Sequence, residues 1–311
     1  MSIQLDNSLL FSIGSLELLA RQAVEGFITG LHKSPYHGFS VEFSEHRAYN
    51  SGESTRFIDW KLFGRTDKLY VKRFEEETNL RCQLIIDVSS SMYFPIADKI
   101  TPEHLNKIAF SAIAAASIML LQRKQRDATG LTIFADTIEQ HFQARSTPQH
   151  YKLILAQLEQ LLQPYNKEKK KETQIATSLH AIAENIHKRS LVIIFSDMMD
   201  NIEKTNEIFS ALQHLRHNKH EVILFHVKDE NLEYKLDFGN RMHKFIDMES
   251  GDEIKLNPTE IKKRYITNIA EFKKEIKLRC NQYHIDFVDA DINQGYRQIL
   301  LPWLLKRQSL Y

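Results

Sequence analysis

The sequence predicts an α/β fold built on a doubly wound, mostly parallel sheet with helices on both faces. From residue 80 to the C-terminus, strand-like and helix-like segments alternate, which is the order of a parallel sheet with crossover helices. Runs such as LIID and LVIIFSD are apolar enough to be buried strands. The runs on either side of residues 135–137 are too close for a crossover helix, so they predict a hairpin. We therefore expect one antiparallel strand at an edge of the sheet.

The N-terminal part of the chain predicts one amphipathic helix and then short extended segments. Apolar side chains within residues 15–32 recur at helical spacing: Leu18, Leu19, Ala23, Phe27 and Ile28. Residues 34–77 alternate in short pieces separated by turn residues, which favours strands. We expect an extension over residues 1–78, made of this helix and short strands, before a main domain over residues 79–311.

The sequence of the main domain predicts strands and helices in alternation. Its predicted strands end in LIID, TIFAD, HFQA, IIFSD, HVKD and DFVDAD. Its predicted helices cover residues 102–124, 148–162, 173–189, 205–217 and 258–282, with a C-terminal helix from about residue 293. Neither an internal repeat nor a linker rich in Gly, Ser or Pro interrupts this order. One compact domain with an extension is therefore favoured over two domains of equal size.

Charge and hydropathy exclude several classes of protein. The 311 residues carry a formal net charge of +1, so no overall positive field attracts nucleic acid or an anionic membrane. The longest apolar run, Ile108–Leu121, is shorter than the roughly 20 residues of a membrane helix, and the N-terminus does not resemble a signal peptide. Cys82 and Cys280 belong to no ligand motif and are expected to be reduced, structural thiols. We expect a cytoplasmic protein without membrane insertion or a nucleic-acid partner.

Two aspartates follow predicted strands of the main domain. Asp87 ends the run LIID and Asp197 ends IIFSD, and parallel strands present their carboxyl ends at one edge of the sheet. Ser89 and Ser91 alternate after Asp87, so an extended loop can direct both hydroxyls to the same side. This oxygen-only set suits Mg²⁺ or another divalent cation such as Mn²⁺ or Ca²⁺. The alternative is structural, with Asp87 capping the next helix and the serines forming a polar turn.

The pattern D-x-S-x-S after a strand, a threonine on a later loop and an aspartate after a second strand resembles the metal-ion-dependent adhesion site (MIDAS) of von Willebrand factor A (vWA) domains. The resemblance implies the following roles: direct metal contacts from Ser89 and Ser91, and contacts mainly through bound waters from Asp87 and Asp197. It also implies a threonine ligand. Thr173 lies just ahead of a predicted helix as the motif demands, and Thr177, one turn later, is the alternative.

A second resemblance covers nearly the whole chain. The segment that contains RFIDW and ends in KRFEEE resembles the family called domain of unknown function 58, in which such an element leads into a vWA domain. The matching positions are Arg56, Asp59, Trp60 and Arg65. Arg56 and Asp59 lie one helical turn apart and can pair, while Trp60 offers apolar anchoring. We expect a structural role for this element, and direct ligand contact is the alternative.

These resemblances imply a protein-binding adaptor and no enzymatic activity. An acidic side chain of a partner would complete the metal site, and the implied partner is a MoxR-type AAA+ ATPase or its client in protein maturation or complex remodelling. The alternative is a Mg²⁺-dependent phosphoryl-transfer enzyme with Asp87 as nucleophile. Ser89 argues against it, because haloacid dehalogenase-like phosphatases carry a second aspartate at that position of the motif.

Overall fold

The structure is a computed structural model that describes residues 15–25, 40–48, 59–77, 80–96, 101, 104–163, 174–199 and 205–309. The chain divides into two compact units, one of residues 1–32 together with 81–311 and one of residues 33–80. The N-terminal helix thus belongs to the main unit, whereas the sequence analysis placed it in the extension. The reason is that this helix packs on a long helix of the main unit.

Helices and strands follow one another along the chain. Their bounds in chain order are α1 Ser15–Glu25, β1 Ser40–Ala48, α2 Trp60–Thr66, β2 Tyr70–Glu77, β3 Arg81–Asp87, α3 Lys107–Lys124, β4 Ala128–Phe134, β5 Ile138–Arg145, α4 Pro148–Gln160, α5 Ile175–Asn185, β6 Leu191–Ser196, α6 Thr205–His217, β7 Glu221–Lys228, β8 His243–Ile246, β9 Glu253–Leu256, α7 Pro258–Gln282, β10 Asp286–Asp291 and α8 Tyr296–Ser309. The described residues between them include 3₁₀ turns at Ser90–Tyr93 and Ile292–Gln294 and a π-helical turn at Glu230–Tyr234.

A six-stranded sheet forms the core of the main unit. Its strand order is β10-β7-β6-β3-β4-β5, and every neighbouring pair is parallel except β4 with β5. Helices α5, α6 and α7 supply side chains to the apolar cluster on one face. On the other face α3 contacts β3 and β4, and α8 brings Trp303 edge-on against Phe225. The predicted doubly wound sheet with one antiparallel edge strand is confirmed.

Helix α3 begins later than the sequence predicted, because a cap fixes its start. The side chain of Asn106 accepts a hydrogen bond from the backbone N–H of Ala109 at 2.9 Å, which satisfies one of the free donors of the first turn. Nearly all of the helix is buried, since it lies between the sheet and helices α1, α4 and α8. That position explains its apolar composition. The first residue after the cap, Lys107, is charged and yet buried, unlike the exposed Arg123 and Lys124 in the last turn.

The hairpin of β8 and β9 was not predicted. Its two strands pair antiparallel over four residues each, with Phe245 opposite Ile254. The carboxylate of Asp247 accepts hydrogen bonds from the backbone N–H groups of Glu249 and Ser250 in the connecting turn. Strands of four residues are too short to give a recognisable alternation in the sequence, so this segment looked irregular.

The extension contains a two-stranded antiparallel sheet, β1 with β2, and the short helix α2 between the two strands. The register of the pair shifts between Phe43 and Glu45, which marks a bulge in β1. Elsewhere, Cys82 and Cys280 are buried, and no disulfide joins them. Among the described helices, none combines the length and the apolar character that a membrane crossing requires.

Gly130 in β4 occupies a position without room for a side chain. An added Cβ would lie 2.2 Å from Gln83 Oε1, 2.6 Å from the carbonyl oxygen of Phe142 and 2.7 Å from the backbone nitrogen of Ala144. Two of these atoms belong to the backbone of β5, so the edge pairing would have to shift. We expect Gly130→Ala to lower the free energy of unfolding in urea by about 3 kcal/mol. The matched change Gly64→Ala meets nothing within 4 Å and should not lower it. Equal losses in both variants would contradict this account.

Candidate metal centre at the sheet edge

Asp87 and Asp197 lie side by side at the carboxyl edge of the sheet. Strands β3 and β6 are neighbours and pair in parallel up to Ile86 and Phe195. Asp87 is the last residue of β3 and Asp197 directly follows β6. Both side chains are 0% exposed. The topology thus brings together two acids that are distant in the sequence.

The carboxylate of Asp87 accepts hydrogen bonds from neutral groups. Its Oδ1 accepts from the backbone N–H of Ser89 at 2.9 Å, and its Oδ2 accepts from the hydroxyl of Ser196 at 2.7 Å. Ser196 also accepts a hydrogen bond from the backbone N–H of Met198, so it is fixed between the two strand ends. Burial and the nearby charge of Asp197 raise the pKa of Asp87. Ionisation of Asp87 therefore destabilises the metal-free protein, and a cation bound nearby would offset that loss of stability.

The hydroxyls of Ser89 and Ser91 lie together, with their Oγ atoms 3.1 Å apart. Ser89 has extended backbone and is buried, and Ser90 begins the 3₁₀ turn that returns Ser91 to the same side. A hydrogen bond from Ser91 to Asp197 helps to lower the pKa of that carboxyl. The alternate spacing in the sequence thus leads to a pair of adjacent hydroxyls above the two acids.

Lys107 was not predicted from the sequence, and its ammonium group is fully buried at the site. Its Nζ lies 2.8 Å from Asp197 Oδ2 and 2.5 Å from Glu233 Oε1. Burial alone would lower the pKa of Lys107, but the two carboxylates outweigh burial and raise it. Burial would likewise raise the pKa of Asp197, and the ammonium group lowers it. The signal that could have revealed this residue is a lysine in the first turn of a helix that has no other charged residue before its last turn.

Glu233 is the second acid that contacts the Lys107 ammonium group, and its side chain is 13% exposed. It lies in the π-helical turn directly after β7, and its Oε2 accepts a hydrogen bond from the backbone N–H of Asp229 at 2.9 Å. Burial raises the pKa of Glu233. Strands β3, β6 and β7 are adjacent, so three neighbouring strand ends supply the acids Asp87, Asp197 and Glu233. When all three are ionised, Lys107 balances only one of them.

These residues are chemically suited to a hard divalent cation. The donors are hydroxyl and carboxylate oxygens, and the charge left over beside Lys107 equals two negative units when every acid is ionised. Adjacent ligands of an octahedral Mg²⁺ ion lie about 2.9 Å apart, close to the separation of the Ser89 and Ser91 hydroxyls. Within the described residues, no three or more His, Cys, Asp or Glu side chains are grouped so as to hold a metal by themselves. A cation here would therefore depend on the serine hydroxyls.

The two candidate threonines are Thr173 and Thr177. Thr173, the predicted ligand, is outside the described residues. Thr177 is on the first turn of α5, and its side chain is exposed. A role for Thr173 stays a prediction.

The R-x-I-D-W element lies in the extension, and its aspartate has a structural role. Asp59 caps helix α2, because its Oδ1 accepts hydrogen bonds from the backbone N–H groups of Lys61 and Leu62 at 3.0 and 3.1 Å. Trp60 is 61% exposed and contacts Phe63 edge-on, so its side chain is not a buried anchor. Arg65 is exposed in the last turn of α2, and Arg56 lies outside the described residues.

The sequence matches one protein family over about three quarters of its length: residues 45–275 match the family described as "Protein of unknown function DUF58". Relatives include "Uncharacterized protein Mb1516" of Mycobacterium bovis (strain ATCC BAA-935 / AF2122/97) and "Uncharacterized protein Rv1480" of Mycobacterium tuberculosis (strain ATCC 25618 / H37Rv). Each is 24% identical over 224 residues, covering 72% of this chain and 66% of the relative. The match thus spans just under two thirds of the relatives' own length.

Solved structures resemble the chain in fold. The conserved hypothetical protein BatB from Bacteroides thetaiotaomicron has a TM-score of 0.43 and 14% identity, covering 75% of this chain and 100% of that chain. An aerotolerance-related membrane protein from Bacteroides fragilis NCTC 9343 has a TM-score of 0.42 and 13% identity, covering 71% and 97%. The VWA domain of SpRpn10 has a TM-score of 0.31 and 10% identity, covering 48% and 76%. At such identities the similarity extends to the fold alone.

The two aspartates should respond in opposite directions to loss of their charge. Asp87→Asn removes a buried charge that lacks a cationic hydrogen-bond donor among the described residues, so the metal-free protein should become more stable by about 1 kcal/mol. Asp197→Asn leaves the Lys107 ammonium group with one carboxylate fewer and should cost about 3 kcal/mol. Urea unfolding in EDTA at pH 8 measures both. A shift of the same sign in the two variants would contradict the assigned charge balance.

Proposed function

The chain belongs to the family described as "Protein of unknown function DUF58", and from this premise we propose that it is a non-enzymatic adaptor that binds an acidic side chain of a protein partner through a divalent cation. The cation is Mg²⁺, or another divalent ion such as Mn²⁺ or Ca²⁺. The observation that carries the proposal is the adjacent pair of serine hydroxyls, Ser89 and Ser91, beside two buried strand-end acids. The likeness of this pattern to a MIDAS supports it further.

Each residue of the site has a part in this proposal. Ser89 and Ser91 offer neutral oxygen ligands, and Thr173 is the third hydroxyl. Asp87 and Asp197 already accept hydrogen bonds on both of their oxygens, which favours contact with the cation through water. Because the direct ligands are neutral, a bound cation would keep enough positive charge to attract a carboxylate from outside the protein. This property suits binding and needs no catalytic residue.

The partner in this proposal is a MoxR-type AAA+ ATPase or a client of that ATPase. Its support is the resemblance of the chain to a family whose members accompany such ATPases. The proposed role is in protein maturation or complex remodelling, where the chain would bind an acidic segment of the client or of the ATPase. The acid that completes the site then comes from another protein.

The burial of Asp87 favours an adaptor over a phosphoryl-transfer enzyme. A nucleophile must reach its substrate, whereas this carboxylate is 0% exposed and both of its oxygens accept hydrogen bonds. Ser89, two residues later, offers a hydroxyl where such an enzyme needs a general acid and base. We therefore propose no catalytic role for Asp87.

Binding of the partner should need both the cation and the two hydroxyls. We expect the purified MoxR-type ATPase to bind the full chain in 5 mM Mg²⁺, and EDTA to weaken that binding about tenfold or more, because the carboxylate loses its ligand. Ser89→Ala and Ser91→Ala should weaken binding similarly in Mg²⁺. Surface plasmon resonance measures all of these affinities, and thermal unfolding verifies that each variant is folded.

Ser90→Ala is the matched control, because Ser90 lies in the same loop but outside the Ser89–Ser91 hydroxyl pair. It should bind the partner as the natural chain does. Binding that survives EDTA and both serine changes would exclude the cation-bridged interaction. Mg²⁺-dependent phosphatase turnover that is abolished by Asp87→Asn would instead support the enzyme.

A further inference from the structure

Lys107 is a permanent cation inside the proposed metal centre. Its side chain is 0% exposed, and it bonds to one acid of the centre, Asp197, and to a third acid, Glu233. Lysine is among the residues that are least often buried, because removing an ammonium group from water is costly unless it is paired. One helix and two strand ends meet at this group. Helix α3 supplies Lys107, the residue after β6 is Asp197, and the turn after β7 supplies Glu233.

The Lys107 ammonium group and a divalent cation would compete for the negative charge of the same carboxylate, Asp197. Oδ2 of Asp197 already accepts from Lys107, and its Oδ1 accepts from the backbone N–H of Met199. A positive charge so close to Asp197 reduces the potential that attracts a second cation, and this effect is strong away from water. Lys107 therefore opposes the binding of a divalent ion, although its own position is fixed by the same acids.

Glu233 acts in the opposite direction. Its Oε1 lies 2.5 Å from Lys107 Nζ, so it shares the ammonium group with Asp197 and balances part of its charge. The side chain is almost buried and is tied to the backbone N–H of Asp229. Without the Glu233 charge, the ammonium group would act on Asp197 alone.

We propose that Lys107 and Glu233 form a built-in regulator of the metal centre, in which the buried ammonium group keeps the affinity for divalent cations low and Glu233 partly relieves that restraint. The proposal rests on the metal-dependent function proposed above and specifies how the same site is tuned. A low affinity makes the centre responsive to the concentration of the free cation. The two residues act on the centre through Asp197, whose carboxylate contacts Lys107.

A merely structural role for Lys107 predicts a different result. If Lys107 only held Asp197 in place, its removal would disorder the centre and weaken cation binding. If it restrains the centre electrostatically, its removal strengthens cation binding. The sign of the change therefore separates the two roles. A comparison of ions of different charge also distinguishes the two roles, because an electrostatic effect of Lys107 grows with the charge of the bound ion.

The experiment measures Mg²⁺ binding to the full chain by isothermal titration calorimetry, and Tb³⁺ binding by luminescence, at fixed ionic strength. We expect Lys107→Met to bind Mg²⁺ more tightly by on the order of tenfold or more, and Glu233→Gln to bind it more weakly by about tenfold. The double variant should lie between the two. Because Tb³⁺ carries three charges and Mg²⁺ two, the logarithm of each affinity change should be about one and a half times as large for Tb³⁺ as for Mg²⁺.

Lys124→Met is the matched control, because it removes the same charge from the exposed other end of α3. It should change the affinity less than twofold. If Lys107→Met does not fold, the Mg²⁺ affinity of Glu233→Gln tests the regulator by itself, because this variant keeps the lysine. Unchanged or weaker Mg²⁺ binding by Lys107→Met, or unchanged binding by Glu233→Gln, would overturn the regulator.

The two proposals fail in different ways. If the natural chain binds Mg²⁺ and needs it for its partner, while Lys107→Met binds Mg²⁺ no more tightly, the regulator alone is wrong. If the natural chain and every variant bind no Mg²⁺, and the partner is retained in EDTA, both proposals are wrong. In that case Lys107 is the resident cation of a purely structural charge cluster.

Discussion

The buried ion pair between Lys107 and Asp197 is the interaction on which the edge of the sheet depends. Its 2.8 Å contact joins the first turn of α3 to the end of β6, and the contact to Glu233 adds the turn after β7. Each partner would be costly to bury alone, so the three side chains stabilise one another only as a group. The arrangement of α3 against the sheet is thereby fixed at the point where the D-x-S-x-S loop passes from β3 into that helix.

A second consequence of this pair is that, among the residues that the structure describes, no cationic side chain bonds to Asp87. Its two oxygens accept from a backbone N–H and a serine hydroxyl, and burial raises its pKa. A protein selected only for stability would gain by replacing it with a neutral residue. A buried, poorly balanced acid beside two adjacent hydroxyls is typical of a binding site. The fold thus keeps a local excess of negative charge that a cation can use.

The sequence predicts the part of this site that follows from strand order. Asp87 and Asp197 end apolar runs, and a parallel sheet must bring such ends to one edge, so their proximity could be foreseen. The contacts of Lys107 could not, because it is separated from Asp197 by 90 residues and from Glu233 by 126. Helical periodicity indicates which face is buried but not which distant side chains meet there. The β8–β9 hairpin escaped prediction for a simpler reason, since its strands are only four residues long.

The central claim is that the serine pair and the strand-end acids bind a divalent cation while Lys107 stays in place. A crystal structure of the full chain grown with Mn²⁺ tests it most directly, because the anomalous signal of Mn²⁺ identifies the ion and its position. The account predicts an anomalous peak beside the hydroxyls of Ser89 and Ser91, with Lys107 still bonded to Glu233. Crystals in millimolar Mn²⁺ that show an ordered serine pair and no anomalous peak at this edge of the sheet would contradict it.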